Sequence, residues 1–224
     1  RDSSVKTDEY TITVPGKYTE ESGANEKPDV IPELQEWHGL TGDFLACNSS
    51  KIVAGSEELL DVANVFAKDY KEITGTEISA VSGSLADVSA GDFYMAFSED
   101  GKGLGKEGYT LSIGNYVVTE AEDAVGAYWA TRTILQILKQ TNGSIPKGFI
   151  RDYPKYEVRA FSLDVGRKGF TLDALYQYAK NMSWYKMNNF QVHLSDNLIF
   201  MEDYKNQQTG TDEEKLQKGL QAAK

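Results

Sequence analysis

"VRAFSLDVG", residues 158–166, is followed by "TLDALYQYAKNMSWYKM", residues 171–187, and then by "NFQVHLSD", residues 189–196. The first segment is a strand pattern carried by Val158, Ala160, Phe161, Leu163 and Val165. The second is helical from Thr171, with Leu172, Leu175, Tyr176, Ala179 and Met182 on the stripe expected to be buried. The third is a strand again. A strand, a helix of about four turns and a strand make a βαβ unit, whose strands run parallel. Both strands read as nearly continuous apolar runs, as strands covered on both faces do. Each ends in polar residues: Asp164 and Arg167 on the first, His193, Ser195, Asp196 and Asn197 on the second. Parallel α/β architectures bind ligands at the C-terminal ends of their strands. These residues are therefore the site candidates.

The residues before this unit belong to a different class. In "EELLDVANVFAKDYKEIT", 57–74, Leu59, Val62, Ala63, Phe66, Tyr70 and Ile73 recur at helical spacing. Ser56 is an N-cap ahead of two glutamates, and Gly75 a C-cap. "GDFYMAFS" alternates Phe93, Met95 and Phe97 as a strand. "GYTLSIGNYVVTEA" is a hairpin turning at Gly114-Asn115. A second helix is expected over 121–139, with Ala124, Ala127, Thr131, Ile134, Leu135 and Leu138 on one stripe. "KIVAG" is a short strand, "VIPELQEWHGLTGDFLA" a loop feeding a strand near Phe44, and "TNGSIPKGFIRDYPKY" a Gly/Pro-rich break. Residues 28–150 thus read as an α+β domain, a sheet with two helices on one face. Residues 1–27 form a polar linker with an edge strand at "YTITVPG", and 151–224 hold the βαβ unit and a final helix in "EEKLQKGLQAAK".

Composition narrows the function. The 224 residues are 40% hydrophobic and 25% charged, as in a globular protein able to bury its own core. Lys and Arg total 23 against 34 Asp and Glu, a formal charge of -11, which argues against nucleic acid and anionic membranes and suits neutral ligands such as sugars. No apolar run is long enough to span a membrane. Cys47 is the only cysteine, so no intrachain disulfide forms, and one Cys with two distant histidines makes no zinc site. "GKGLGKEG", 101–108, precedes a strand instead of opening a helix, so it is no phosphate loop; no cofactor is expected. No nucleophile elbow or Cys/His pair is present. His38 beside Trp37 reads as an edge aromatic, Trp129 and Trp184 as packing, and Asp69 and Glu72 as a solvated helix face.

The run from Arg159 to Asn197 resembles the opening of the barrel of family 20 glycoside hydrolases, the β-N-acetylhexosaminidases and lacto-N-biosidases. The matching residues are Arg159, "LDVGR" (163–167), "YKMN" (185–188) and "HLSDN" (193–197). "EDAVGAYWATRTILQIL" is similar to the last helix of the small domain preceding that barrel, and the resemblance extends over roughly residues 28–200. It implies an α+β fold: a small sheet-and-two-helix domain, then an incomplete (β/α)8 TIM-barrel start. It implies an N-acetylhexosamine-containing glycan as partner and a bacterial protein that is extracellular or at the cell surface; Arg1 in place of a Met reads as a processed or trimmed N-terminus. Arg167 would grip hydroxyls of the deepest sugar, since a guanidinium fork holds two at once. Asp196 would support the pocket, and His193 would be a polar group in the barrel mouth. Gln191 and Asn197 depart from the commonest motif, and the lacto-N-biosidase-like members are the closer match to this sequence.

Retention by substrate assistance, with the 2-acetamido carbonyl attacking the anomeric carbon, is the family's chemistry. Its catalytic Asp-Glu pair lies on a later strand, expected beyond Lys224, so no catalytic residue is assigned here and the chain alone is expected to be inactive. Each site residue has a plainer reading: Arg167 a surface partner of Asp164, Asp196 a helix cap or loop carboxylate, His193 a satisfied core histidine. An alternative for the whole chain is a non-catalytic carbohydrate-contact or scaffolding module with a vestigial barrel segment. Two barrel strands cannot cover both their faces, which leaves disorder, repacking on the small domain and self-association open.

Overall fold

The computed structural model describes residues 23–98, 103–166 and 169–194, with Thr211 and Glu214. The expected edge strand at "YTITVPG" and the expected final helix, apart from Glu214, lie outside these residues. The described chain is α+β. Seven strands form one sheet: β1 (Glu36–Leu45), β2 (Lys51–Ala54), β3 (Ser79–Ser82), β4 (Phe93–Phe97), β5 (Tyr109–Ile113), β6 (Val117–Ala121) and β7 (Ser144–Asp152). Their order is β1-β7-β5-β6-β4-β2-β3. The pairs from β1 to β6 are antiparallel, and those from β6 to β3 parallel.

Two helices cover the sheet. α1 (Glu57–Thr74) packs on β2, β3 and β4, α2 (Ala124–Thr141) on β5, β6 and β7, and the helices pack on each other. The caps are those the sequence names: Ser56 Oγ accepts from Leu59 N, and Gly75 ends α1 at φ 75°. Leu59, Ala63, Phe66 and Tyr70 are its buried stripe. The core centres on Phe93, whose ring meets those of Phe44, Phe66 and Tyr70 edge-on at 5.2, 5.3 and 5.9 Å. α2 is buried well beyond one stripe, from Trp129 through Leu138, because residues around Ile31 and the end of the next helix close over its outer side. Among the described residues no helix is long and apolar enough to cross a membrane.

Three expectations for the seven-stranded sheet and its two helices do not hold. The "loop" before Phe44 is already strand from Glu36, its alternation broken by a bulge between Gly39 and Asp43, with Gly42 at φ 84°. The "break" at 144–152 is β7, which runs between β1 and β5. Pro146 is tolerated because β5 ends opposite Gly148, leaving β7 a neighbour on one side only at that point. Gly148 is required because a Cβ there would collide with the Trp37 ring and the His38 carbonyl. Asp69 is not solvated: it pairs with the buried Arg132 of α2 at 2.6 Å, a partner remote in sequence. His38 does pack at the edge, facing Phe149 at 6.4 Å.

The second region is one βαβ unit: β8 (Ala160–Asp164), α3 (Leu172–Trp184) and β9 (Asn189–His193), with β8 and β9 parallel. Thr171 caps α3, accepting from Ala174 N at 3.2 Å. The helix does not bury the whole stripe expected of it. Leu172 and Tyr176 are 73% and 70% exposed, and the side chain turned to the strands is Tyr178, stacked on Phe161 at 5.6 Å. Nor are the strands covered on both faces; each alternates exposed and half-buried residues. With two strands and one helix among the described residues, only one side of this small sheet has a partner.

Candidate functional site

That alternation defines two faces. Phe161 and Leu163 of β8 and Phe190 and Val192 of β9 are half-buried on the α3 side, where Phe161, Tyr178 and Phe190 form a ring cluster. Ala160, Ser162 and Asp164, with Asn189, Gln191 and His193, share the exposed face. Register sets Ser162 opposite Gln191 and Asp164 opposite His193. The ladder continues past the strand ends, where Val165 N donates to His193 O at 2.9 Å. Asp164 Oδ1 accepts from Gly166 N at 2.9 Å, which turns the chain at the strand's end. A hydroxyl, an amide, a carboxylate and an imidazole thus line one side at the C-terminal ends, an array that can donate to and accept from a hydroxylated ligand.

Among the described residues His193 is exposed on this face. Arg167 and Asp196 lie outside the described residues. Among the described residues no cluster of three or more His, Cys, Asp or Glu could hold a metal ion.

The sequence did not reveal what holds this unit in place. Arg159, immediately before β8, and Asn188, immediately before β9, bind each other: Arg159 N donates to Asn188 Oδ1 and Asn188 N to Arg159 O, both at 3.0 Å. Glu107, on the loop before β5, accepts from Arg159, from Asn188 Nδ2 at 2.8 Å and from Trp129 Nε1 at 2.8 Å. Beside it, Lys186 Nζ donates to Asp152 Oδ2 and to Tyr109 Oη, both at 2.8 Å, and Tyr109 Oη lies 2.6 Å from Thr133 Oγ1. The remaining Asp152 oxygen accepts from Gln35 N. Burial holds Lys186 below the usual lysine range despite Asp152, and lifts Tyr109 well above the usual phenol range. Glu107 and Lys186 are left-handed at φ 65° and 55°. Such backbone costs a residue with a Cβ about 1–2 kcal/mol. The signals available in sequence were only polar residues in a short helix-to-strand link and an arginine before a strand. Their partners are far away in the chain.

Burial, the largest single influence, raises the Glu107 carboxyl, but its bonds from Arg159, Asn188 and Trp129 together outweigh this and hold it below 4.5. A depressed carboxyl contributes stability above its unfolded value and loses it as pH falls through the folded one. The difference in urea midpoint between the wild type and Glu107→Gln should therefore be larger at pH 7 than at about pH 3.5. An equal difference at both would show that the charge contributes nothing.

Besides an open trough of about 630 Å³ along Lys106, Glu107, Pro154, Asn188 and Asn189, two clefts lie near the junction. One of about 440 Å³ lies among α1, α2 and α3, and its walls are already bridged by Asp69–Arg132 and Glu72–Lys180. The other, about 200 Å³, is lined by Pro32, Trp129, Tyr153 and Pro154 with the paired Glu107 and Lys186. Glu107 is already paired with Arg159 and Lys186 with Asp152, so the exposed face of β8 and β9 remains the better candidate.

Residues 27–153 match the family model described as glycosyl hydrolase family 20, domain 2, and residues 156–207 the family 20 catalytic domain. A lacto-N-biosidase of Bifidobacterium bifidum is 26% identical over 182 residues, 80% of this chain and 15% of that protein. An N,N'-diacetylchitobiase of Vibrio harveyi is 29% identical over 131 residues, 58% of this chain and 14% of its own. Among solved structures, a β-N-acetylhexosaminidase from Streptomyces coelicolor A3(2) superposes with a TM-score of 0.66 at 25% identity, covering 75% of this chain and 35% of that one. The chain therefore spans well under half the length of these relatives.

Proposed function

The chain belongs to glycosyl hydrolase family 20, and on that premise we propose that it is part of a glycosidase removing β-linked N-acetylhexosamine, singly or as lacto-N-biose, from glycans. Hydrolysis would retain configuration, the substrate's own acetamide acting as nucleophile. The proposal includes a division at 28–150 and 151–224, the second part opening a (β/α)8 barrel, and an extracellular or cell-surface setting. The observation that carries it is the polar face of β8 and β9, with Asp164 and His193 in register at its C-terminal end.

In this reading Arg167 grips sugar hydroxyls, Asp196 supports the pocket wall and His193 contributes a ring nitrogen. Gln191 follows the same alternation and lies on the face of His193, so an amide lines the pocket where the family more often has an imidazole. That difference supports the lacto-N-biose branch of the proposal. The proton donor and the carboxylate that orients the acetamide are assigned to no residue of this chain.

The test uses the full-length protein and chromogenic β-N-acetylglucosaminide and lacto-N-bioside. Release from either supports the reading, and release from neither overturns it. Arg167→Met should lower kcat/KM about 100-fold, since two charge-assisted hydrogen bonds at roughly 1.5 kcal/mol each are lost. An unchanged kcat/KM would remove Arg167 from the site.

A further inference from the structure

We infer that Glu107 is a positioning residue, the point at which the small domain fixes the register and pose of the two strands that carry the site. The inference rests on the glycosidase reading for its kinetic consequence and on the junction's geometry for everything else.

A one-residue slip of a strand moves every side chain to the opposite face. Register is strongly specified wherever one face is fully buried, but among the described residues β8 and β9 present no buried residue on either face. Here the strands are fixed at their starts instead. Arg159 and Asn188 pair through backbone and side chain, and Asn189 N also donates to Arg159 O at 3.2 Å. Arg159 Nε donates to Lys186 O at 2.7 Å, which ties the end of the α3 link to the start of β8. Both residues then converge on one Glu107 carboxylate, Asn188 on Oε1 and Arg159 on Oε2. Trp129 Nε1 shares Oε2 and anchors that carboxylate to the buried face of α2. The left-handed backbone at Glu107 aims it at the strands, and strained backbone held in place by its surroundings is found where geometry serves a function. From these starts each strand runs straight to Asp164 and His193.

In the full-length protein, Glu107→Gln should raise amide exchange across residues 160–164 and 189–193 about tenfold or more while β4 to β6 keep wild-type protection. At a temperature well below unfolding, kcat/KM should fall about tenfold or more, as a misplaced site requires. Exchange within about twofold of wild type across those strands overturns the inference. So does faster exchange with unchanged kcat/KM in an active enzyme, which would make the contact structural only. A wild type without glycosidase activity overturns the functional reading, and the exchange measurement then decides the positioning role. If Glu107→Gln does not fold, Arg159→Lys gives the same readouts, since an ammonium keeps the charge and loses the fork.

Discussion

Replacing Lys186 with methionine should cost about 3–5 kcal/mol of folding stability, the loss expected when one member of a buried ion pair is removed. The side chains of Lys186 and Asp152 are 7% and 9% exposed, so an abandoned Asp152 carboxylate has little water to turn to. Tyr109 Oη and Gln35 N would still bond Asp152, yet neither supplies a positive charge. The size of the loss comes from the orphaned carboxylate and not from an intrinsically strong pair. Adding Asp152→Asn to Lys186→Met should therefore recover part of it. Urea unfolding of the two single variants and the double variant checks this. A loss below about 1 kcal/mol, or a double variant no better than Lys186→Met, would contradict it.

A loss of similar size, about 3–5 kcal/mol, is expected for Phe93→Ala. Phe93 is 1% exposed, and its ring is the common neighbour of Phe44 from β1 and Phe66 and Tyr70 from α1. It joins the sheet to α1 at the centre of the core, and three large rings cannot collapse into its space without leaving their own rotamers. Leu172→Ala provides the contrast. That leucine is 73% exposed, so its truncation should change stability by less than about 0.5 kcal/mol. Thermal and urea midpoints of both variants decide the matter. A Leu172→Ala effect as large as that of Phe93→Ala would mean that the α3 stripe is packed in solution.

What could be read in the sequence is what local patterns encode. Ser56 and Gly75 bracket α1, the Gly114-Asn115 turn joins β5 to β6, and strand-helix-strand spacing gives the parallel pair. What could not be read depends on residues remote in the chain. β7 was hidden because Pro146 and Gly148 look like breakers until β5 and Trp37 are seen beside them. Asp69 looked solvated because Arg132 lies 63 residues on. The junction was invisible because Glu107 is 52 residues from Arg159 and 81 from Asn188. Of the site, the strand ends with Asp164 and His193 were legible, since side-chain alternation is local. The uncovered face beside them followed only from the resemblance to an incomplete barrel, because apolar runs by themselves say nothing about how many neighbours a strand has.

Among the described residues β1 pairs with β7 alone, and Glu36 and Arg151, which face each other across that pair, are 115 residues apart. On the ribosome β1 therefore emerges long before β7 can pair with it. At about 5–20 residues per second, the wait is roughly 6–23 seconds. During that interval the apolar residues of β1, Trp37, Leu40, Phe44 and Leu45, have no strand to pair with. The last strand of the sheet to be made is thus the one that lets the first strand in. Synthesis of the whole stretch between β1 and β7 sets the delay before the small domain closes and offers Glu107 and Asp152 to the βαβ unit.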